Sequence, residues 1–198
     1  MLRTTILLVV LSQAVARAEA SVQRGTAQGG ARPSDSVLLT SVTSLKNEGT
    51  QLKVVSKVIK DAVYYDVDVS GDSDLTTMLY PLRTKGHDLL VEADKVRSYA
   101  ESAISELEGQ APSYSAIQQD MVDTVSEAGV FKLQINSFNA AMQDFIKKAK
   151  AEGHSNDALM SELNRVAGYG DELLTQTATV VTHAQGIASQ LQGGKVVG

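Results

Sequence analysis

The chain has 198 residues, with 18 Lys and Arg against 23 Asp and Glu and no cysteine, so its formal net charge is −5. A mildly acidic chain has no long-range attraction for nucleic acid or for an anionic membrane. The sequence also contains no basic patch with interleaved aromatic residues, and we therefore exclude nucleic-acid binding.

Residues 1–20 have the pattern of a secretory signal peptide. Arg3 supplies the positive start, residues 6–11 form the apolar run, and small residues around Ala18 provide a cleavage pattern. The apolar run is far shorter than the roughly 20 residues that span a bilayer, which argues against the alternative of a transmembrane anchor. We expect a secreted protein, extracellular or held in a cell wall, whose mature chain begins near Glu19 or Ser21.

The rest of the chain divides into three parts. Residues 21–35 are rich in Gly, Ala, Gln and Ser and have no apolar periodicity, which predicts a flexible N-terminal tail. We expect residues 36–192 to form one helical bundle domain and residues 193–198 to form a C-terminal tail. A domain of this length can bury an adequate core without disulfide bonds, so the absence of cysteine is compatible with secretion.

Four stretches of the domain repeat apolar residues at alternating gaps of three and four. These stretches are residues 38–62, 75–100, 114–149 and 159–191. The spacing places one apolar stripe along each helix, and the four stripes must be buried against one another. Because the connections are short, we expect neighbouring helices to be antiparallel. The sequence therefore predicts an all-α fold, an antiparallel up-down bundle of four to five long amphipathic helices.

Turn and cap residues indicate where the first two helices begin and end. Helix 1 is expected over residues 36–65, with Ser34 available as its cap. A polar loop over residues 66–72 follows, because its Ser-Gly-Asp sequence ends one helix and caps the next. Helix 2 is expected over residues 73–107. Pro81 should bend it or separate a short first piece, since proline removes a backbone donor.

Cap and turn residues also indicate where the last two helices begin and end. Helix 3 is expected to begin near Ser113–Ser115, where Ser115 and Gln118 form a capping box, and to run to residue 151, with a break at Ala128-Gly129 as an alternative. Gly153 is a natural C-terminal stop. Helix 4 is expected over residues 155–192.

Residues that could carry catalysis form no recognisable arrangement. His87, His154 and His183 are the only histidines and lack metal-ligand spacing, so we expect no metal and no cofactor. The serines lack a nucleophile elbow, and the glycines lack a phosphate-binding pattern. Asp66 and Asp72 lie in a segment that superficially resembles a calcium loop, but its glycine is misplaced and its final Glu is missing. We therefore expect no enzyme activity.

The stripes themselves contain the remaining hint of function. Gly49, Gly86 and Gly170 lie on them, and each interior helical glycine costs about 0.8–1.0 kcal/mol relative to alanine. Close helix contact, a bend, or room for a guest could offset that cost. Thr124 and Thr177 are polar stripe positions that could hold a ligand headgroup or be satisfied by their own helix backbone.

All three phenylalanines of the chain lie seven residues apart on helix 3. They are either ordinary core layers or the wall of an elongated apolar cavity, in which flexible methionines adapt to an acyl chain. In the second interpretation the bound molecule is a lipid or fatty acid. The candidate ligand-binding residues are Leu82, Leu89, Met121, Phe131, Phe138, Met142, Phe145, Leu173 and Thr177.

A resemblance to a known protein family supports the interpretation of a lipid-binding bundle. Residues 135–148 end in a lysine pair and lead through Glu152-Gly153 into Leu159-Met160-Ser161-Glu162-Leu163 and then Asp171-Glu172-Leu173-Leu174. With the signal peptide and the absence of cysteine, this layout resembles the fungal hydrophobic surface binding protein A and cell-wall mannoprotein family. The resemblance spans about residues 36–192, although Pro81 and the helix lengths depart from it. It implies a secreted or wall-associated bundle that adheres to hydrophobic surfaces or sequesters fatty acids, without catalytic residues.

Two functions therefore follow as hypotheses. The first is a secreted, non-catalytic helical bundle that binds lipids or hydrophobic surfaces. The second is a secreted protein-interaction module, an effector or antigen, with a dry core and no ligand. A continuous apolar cavity would favour the first hypothesis, and a core with every stripe residue packed would favour the second. A leftover apolar face would also allow a homodimer.

Overall fold

The computed structural model describes residues 33–67, 69, 72–153 and 157–193. These residues form four α-helices and no strand, so the expected all-α fold is confirmed for this part of the chain. The expected signal peptide, most of the N-terminal tail and nearly all of the C-terminal tail lie outside the described residues. The elements are α1 (Asp35–Asp61), a π turn (Ala62–Asp66), α2 (Ser73–Glu108), α3 (Tyr114–Ala151) and α4 (Asp157–Gly193).

The predicted apolar stripes all face the core. Every stripe residue of α1, α2 and α4 is buried, and on α3 only Tyr114 is partly exposed. Each helix contacts the next one in sequence, and α4 also contacts α1. The four stripes therefore enclose one continuous apolar core, as their spacing predicted.

At the helix starts, one predicted cap is confirmed and another predicted cap was wrong. The Asp72 carboxylate accepts hydrogen bonds from the backbone N–H groups of Asp74 and Leu75, both at 2.8 Å, and so caps α2. The predicted capping box at Ser115 was wrong. Ser113 lies at the cap position instead, where its hydroxyl accepts from the N–H of Ala116 at 3.4 Å. The chain already turns helical at the residue after Ser113, so Ser115 lies within the first turn.

Two expected interruptions are absent from the helices. α2 continues through Pro81, so of the two expected effects of this proline the separation of a first piece is not realised. Leu79 and Leu82 are both buried on either side of the proline, and this packing holds the helix together despite the lost backbone donor. The alternative of a break at Gly129 is also not realised, because α3 is continuous. Gly153 does end the α3 region, with a positive φ of 77° that suits glycine.

The end of α1 differs from the prediction of a regular helix to residue 65. Residues Ala62–Asp66, which follow α1, form a π turn. A π turn is wider than an α turn. Ala62, Val63 and Val67 are buried, whereas Tyr65 and Asp66 are exposed. The wider turn therefore places three apolar side chains in the core and directs the polar and aromatic ones outward.

Candidate functional site

The predicted ligand-binding residues do come together, as part of the core. Each of the nine is at most 1% exposed. They belong to α2, α3 and α4; the eight apolar ones are members of the common apolar cluster, and Thr177 is buried as a polar residue. This burial fits both the core-layer interpretation and a closed cavity wall, so the ligand-binding role of these residues stays a prediction.

The two polar stripe residues are satisfied within their own helices. The Thr124 hydroxyl donates to the backbone carbonyl of Asp120 at 2.8 Å, and the Thr177 hydroxyl donates to that of Leu173 at 2.6 Å. These are the i−4 bonds that buried threonines commonly make. Neither hydroxyl proton is therefore available to a headgroup in this structure.

The stripe glycines provide close helix contact. A β-carbon on Gly49 would lie 3.0 Å from the Cα atom of Arg97, and one on Gly86 would lie 3.4 Å from the Cα atom of Lys60. Both contacts join α1 to α2 at the level of the backbone. At Gly170 the space for a β-carbon is already occupied by the Asn139 side chain of α3. The sequence left three ways in which the cost of an interior glycine could be offset: close helix contact, a bend, or room for a guest. Close helix contact is the one observed at these positions.

An open groove lies on the outer surface of α1 and α2. Its volume is about 450 Å³, and Leu90 and Val91 give it an apolar floor. Lys53 from α1 forms an ion pair of 2.8 Å with Asp94 across the groove. This hydrogen bond, together with Arg97, lowers the pKa of the Asp94 carboxyl. Both walls are exposed to solvent, so the groove can only hold a ligand weakly.

A carboxyl pair bridges α2 and α3 near this groove. The hydrogen bond between Glu92 and Glu127 lowers the pKa of Glu92 and, together with burial, raises the pKa of Glu127. Lys95 contacts both carboxyls, at 2.9 Å for Glu92 and 3.5 Å for Glu127. Two carboxyls that share one proton and a lysine form a structural ion cluster.

The two histidines that the structure describes belong to no group that could hold a metal ion. His87 is exposed, and His154 lies outside the described residues. His183 is nearly buried and its Nδ1 lies 3.0 Å from Oε1 of Glu48, which joins α4 to α1. Within the described ranges, no group of three or more His, Asp or Glu residues could hold a metal ion.

The exposed feature that sequence reasoning missed is an aromatic end of the bundle, formed by Tyr64, Tyr65 and Tyr80. Tyr65 is 78% exposed and Tyr80 is 73% exposed. Arg83 supports this end from α2: its Nε donates to the carbonyl of Val63 at 3.0 Å, and its Nη2 to that of Tyr64 at 3.2 Å. Consecutive tyrosines at the end of a predicted helix were the available signal.

None of the described helices combines the length and the apolar character that crossing a membrane requires. No known protein family, curated protein or solved structure matches the chain. The resemblance to the fungal family accordingly stays a prediction from the residues quoted above.

Proposed function

We propose that this protein is a secreted, non-catalytic helical bundle that binds hydrophobic or lipid surfaces from its exterior. The observation that supports this proposal most is the aromatic end, where large amphipathic side chains remain exposed instead of joining the core. Tyrosine is well suited to a boundary between apolar and aqueous phases, since its ring is apolar and its hydroxyl is polar. The resemblance to the fungal surface-binding family, with its extracellular or wall location, agrees with this function.

We also propose the up-down antiparallel arrangement of the four helices. Lys46 pairs with Glu101 at 3.2 Å and Lys53 pairs with Asp94 at 2.8 Å, so residue numbers fall along α2 as they rise along α1. The other pairs of adjacent helices that are joined by charged contacts follow the same rule. The charged contacts are Asp74–Lys148 and Lys95–Glu127 between α2 and α3, and Glu48–His183 and Asp66–Arg165 between α1 and α4.

Sequestration of a fatty acid inside the bundle is the less supported form of lipid binding. It would use the candidate apolar residues, yet the Gly49, Gly86 and Gly170 positions are in contact with neighbouring helices and offer no extra room. Native mass spectrometry of the purified protein, with organic extraction, distinguishes the two forms. A stoichiometric fatty acid would establish the interior site. A folded Phe138→Asp protein that retained this lipid would contradict the assignment of its site.

Adsorption to an alkyl-coated surface tests the proposed function directly. We expect the purified protein to be retained on alkyl-coated silica and not on bare silica, and to be released by detergent rather than by salt. Salt screens charge interactions but strengthens apolar ones. Release by salt therefore indicates binding through charge, and release by detergent indicates binding through apolar contact. Equal retention on both surfaces, or release by salt alone, would contradict the proposal.

A second candidate function is the protein-interaction module. Tyrosine and arginine are the residue types that dominate binding energy at protein interfaces, and both occur at the aromatic end. The contacts at the stripe glycines support a dry interior, as this candidate requires. Its partner is another protein or a second copy of the chain. Light scattering tests the homodimer, and absence of adsorption to alkyl-coated silica would favour this candidate over the first.

A further inference from the structure

The aromatic end has a defined geometry around the π turn. The rings of Tyr64 and Tyr65 lie 6.1 Å apart and are inclined at 45° to each other. Tyr80 lies one helical turn before Arg83, which places it on the same side of α2 as the guanidinium that binds the π turn. The inclined rings of Tyr64 and Tyr65 therefore form no flat platform, and the exposed Tyr80 adds a third ring to this end.

Two cationic side chains lie close to the ring of Tyr64. The Lys60 ammonium lies 5.8 Å and the Arg83 guanidinium 5.5 Å from the centre of the Tyr64 ring, within the range of cation–π attraction. This arrangement combines apolar rings, phenolic hydroxyls and cationic groups on one surface. The same combination occurs where proteins contact the headgroup layer of a bilayer, since tyrosine lies at that depth and cations bind phosphate.

Charge is distributed unevenly between the two ends of the bundle. Between Arg97 and Lys132 the chain contains six acidic residues and no Lys, Arg or His. This acidic stretch covers the connection of α2 to α3, which lies at the end opposite the π turn because α2 runs from one end of the bundle to the other. The aromatic end, in contrast, has cations as well as acids: Lys60, Arg83, Lys148 and Arg165 lie there with Asp61, Asp66, Asp74, Glu152 and Glu162. A phosphate-bearing surface is therefore repelled by the acidic end and accepted at the aromatic end.

From these observations we propose that the aromatic end docks the protein onto a zwitterionic phospholipid–water interface. Tyr65 and Tyr80 enter the headgroup layer, Lys60 faces the phosphates, and Arg83 holds the π turn in place through its bonds to Val63 and Tyr64. This inference rests on the proposed function and names its lipid class. A neutral lipid fits better than an anionic one because acids balance the cations at this end and the whole chain carries a net charge of −5.

The extent of the aromatic end favours a lipid surface over a folded protein partner. A stable protein interface buries about 800 Å² on each side and requires matched shapes. Three exposed side chains supply only part of such an area. A fluid headgroup layer adapts to each ring separately, so it needs no shape complementarity.

Single tryptophan reporters test the contact surface, because the chain contains no tryptophan of its own. Tyr65→Trp places the reporter at the aromatic end, and Leu133→Trp places it at a matched position on α3 that is 70% exposed. With vesicles of pure phosphatidylcholine, we expect a blue shift of the fluorescence and quenching by brominated lipid for Tyr65→Trp only. Vesicle flotation of wild type and of the double variant Tyr65→Ser/Tyr80→Ser completes the test, with circular dichroism to verify that each protein is folded.

We expect the double serine variant to lose about tenfold in vesicle affinity, and added phosphatidylserine to give no gain for the wild type. If the wild type floats with vesicles but Leu133→Trp responds instead, or the serine variant binds equally well, the docking surface assigned here is wrong while the proposed function stands. Retention on alkyl-coated silica without any vesicle binding also overturns this inference alone. Failure of the wild type in both assays overturns the proposed function as well.

Discussion

Gly49 of α1 lies directly against the backbone of Arg97 in α2: a β-carbon on the glycine would lie 3.0 Å from the Cα atom of Arg97. A main-chain atom cannot rotate away as the end of a side chain can. We expect Gly49→Ala to lower the free energy of unfolding, since forced overpacking costs about 1–3 kcal/mol and the gain in helix propensity is at most about 1 kcal/mol. Chemical denaturation of the purified protein measures the difference.

The matched control for this prediction is Gly168→Ala on α4. A β-carbon at Gly168 would have no neighbour within 4 Å, so only the propensity gain of about 0.8–1.0 kcal/mol remains and this variant should be more stable than wild type. If Gly49→Ala stabilised the protein as much as Gly168→Ala, the two helices would not be in the contact described here.

Gly170 and Asn139 should be energetically coupled across the α3–α4 seam. The Asn139 carboxamide occupies the place of a β-carbon at Gly170, so Gly170→Ala forces the end of the Asn139 side chain to rotate away and should be mildly destabilising. Asn139→Ala empties that place, and the double variant should therefore be more stable than the sum of the single effects implies. A double-mutant cycle with an interaction energy of about 0.5 kcal/mol or more would agree with this contact. Additivity within about 0.3 kcal/mol would contradict it.

The carboxyl pair predicts a specific pH dependence of stability. The pKa of Glu127 is raised by its hydrogen bond to Glu92 and by burial, and burial also raises the pKa of Glu172 and of Asp120. A raised pKa means that the folded state binds more protons than the unfolded state. This contribution is fully present below the unfolded pKa of about 4.3 for Glu and is lost as the pH rises through the folded value. The free energy of unfolding should therefore increase as the pH falls from neutrality towards the unfolded pKa of about 4.3.

Glu127→Gln isolates the contribution of the pair, because an amide keeps the shape and the donor of the protonated acid but cannot ionise. We expect this variant to be more stable than wild type at neutral pH and to show a smaller pH slope. Glu108→Gln, at an exposed position at the C-terminal end of α2, is the control and should keep the wild-type slope. Thermal denaturation across the pH range measures both, and an unchanged slope in Glu127→Gln would refute the shared proton.

Arg83 should hold the π turn closed through its two bonds to backbone carbonyls. Arg83→Lys keeps the charge but cannot make both bonds, since a lysine ammonium is a point donor without the planar fork. We expect faster amide hydrogen exchange over residues 62–67 and a loss of about 1 kcal/mol in the free energy of unfolding. Arg97→Lys is the control, because Arg97 bonds to the side chains of Asp94 and Glu101. Equal protection of the π turn in both variants would show that Arg83 is dispensable there.

The periodicity of the sequence predicted the helices and their buried faces well, because a stripe such as that of α4 leaves only one way to bury its apolar residues. It could not predict the π turn. Whether residue 66 or residue 67 points inward depends on Arg83, which is distant in sequence and bonds to Val63. Helix propensity contains no information about such a tertiary partner.

The candidate site was less predictable than the fold. A glycine on an apolar stripe is equally compatible with a cavity and with a close contact, and only the atoms opposite Gly49 and Gly86 decide between them. The exposed tyrosines were likewise ambiguous, since the pair Tyr64-Tyr65 extends a helical pattern and gives no sign that the turn widens. Sequence reasoning placed the function inside the bundle, whereas the exposed chemistry lies at its end.

Because no side chain separates α1 from α2 at Gly49 and Gly86, neither helix can slide along the other without a collision. The two helices should therefore resist shear as a single mechanical hairpin. Between α1 and α4, in contrast, the Glu48–His183 pair links the helices through side chains whose rotamers can change. A pulling force on the chain should thus detach α4 first and leave the α1–α2 hairpin as the last part to extend.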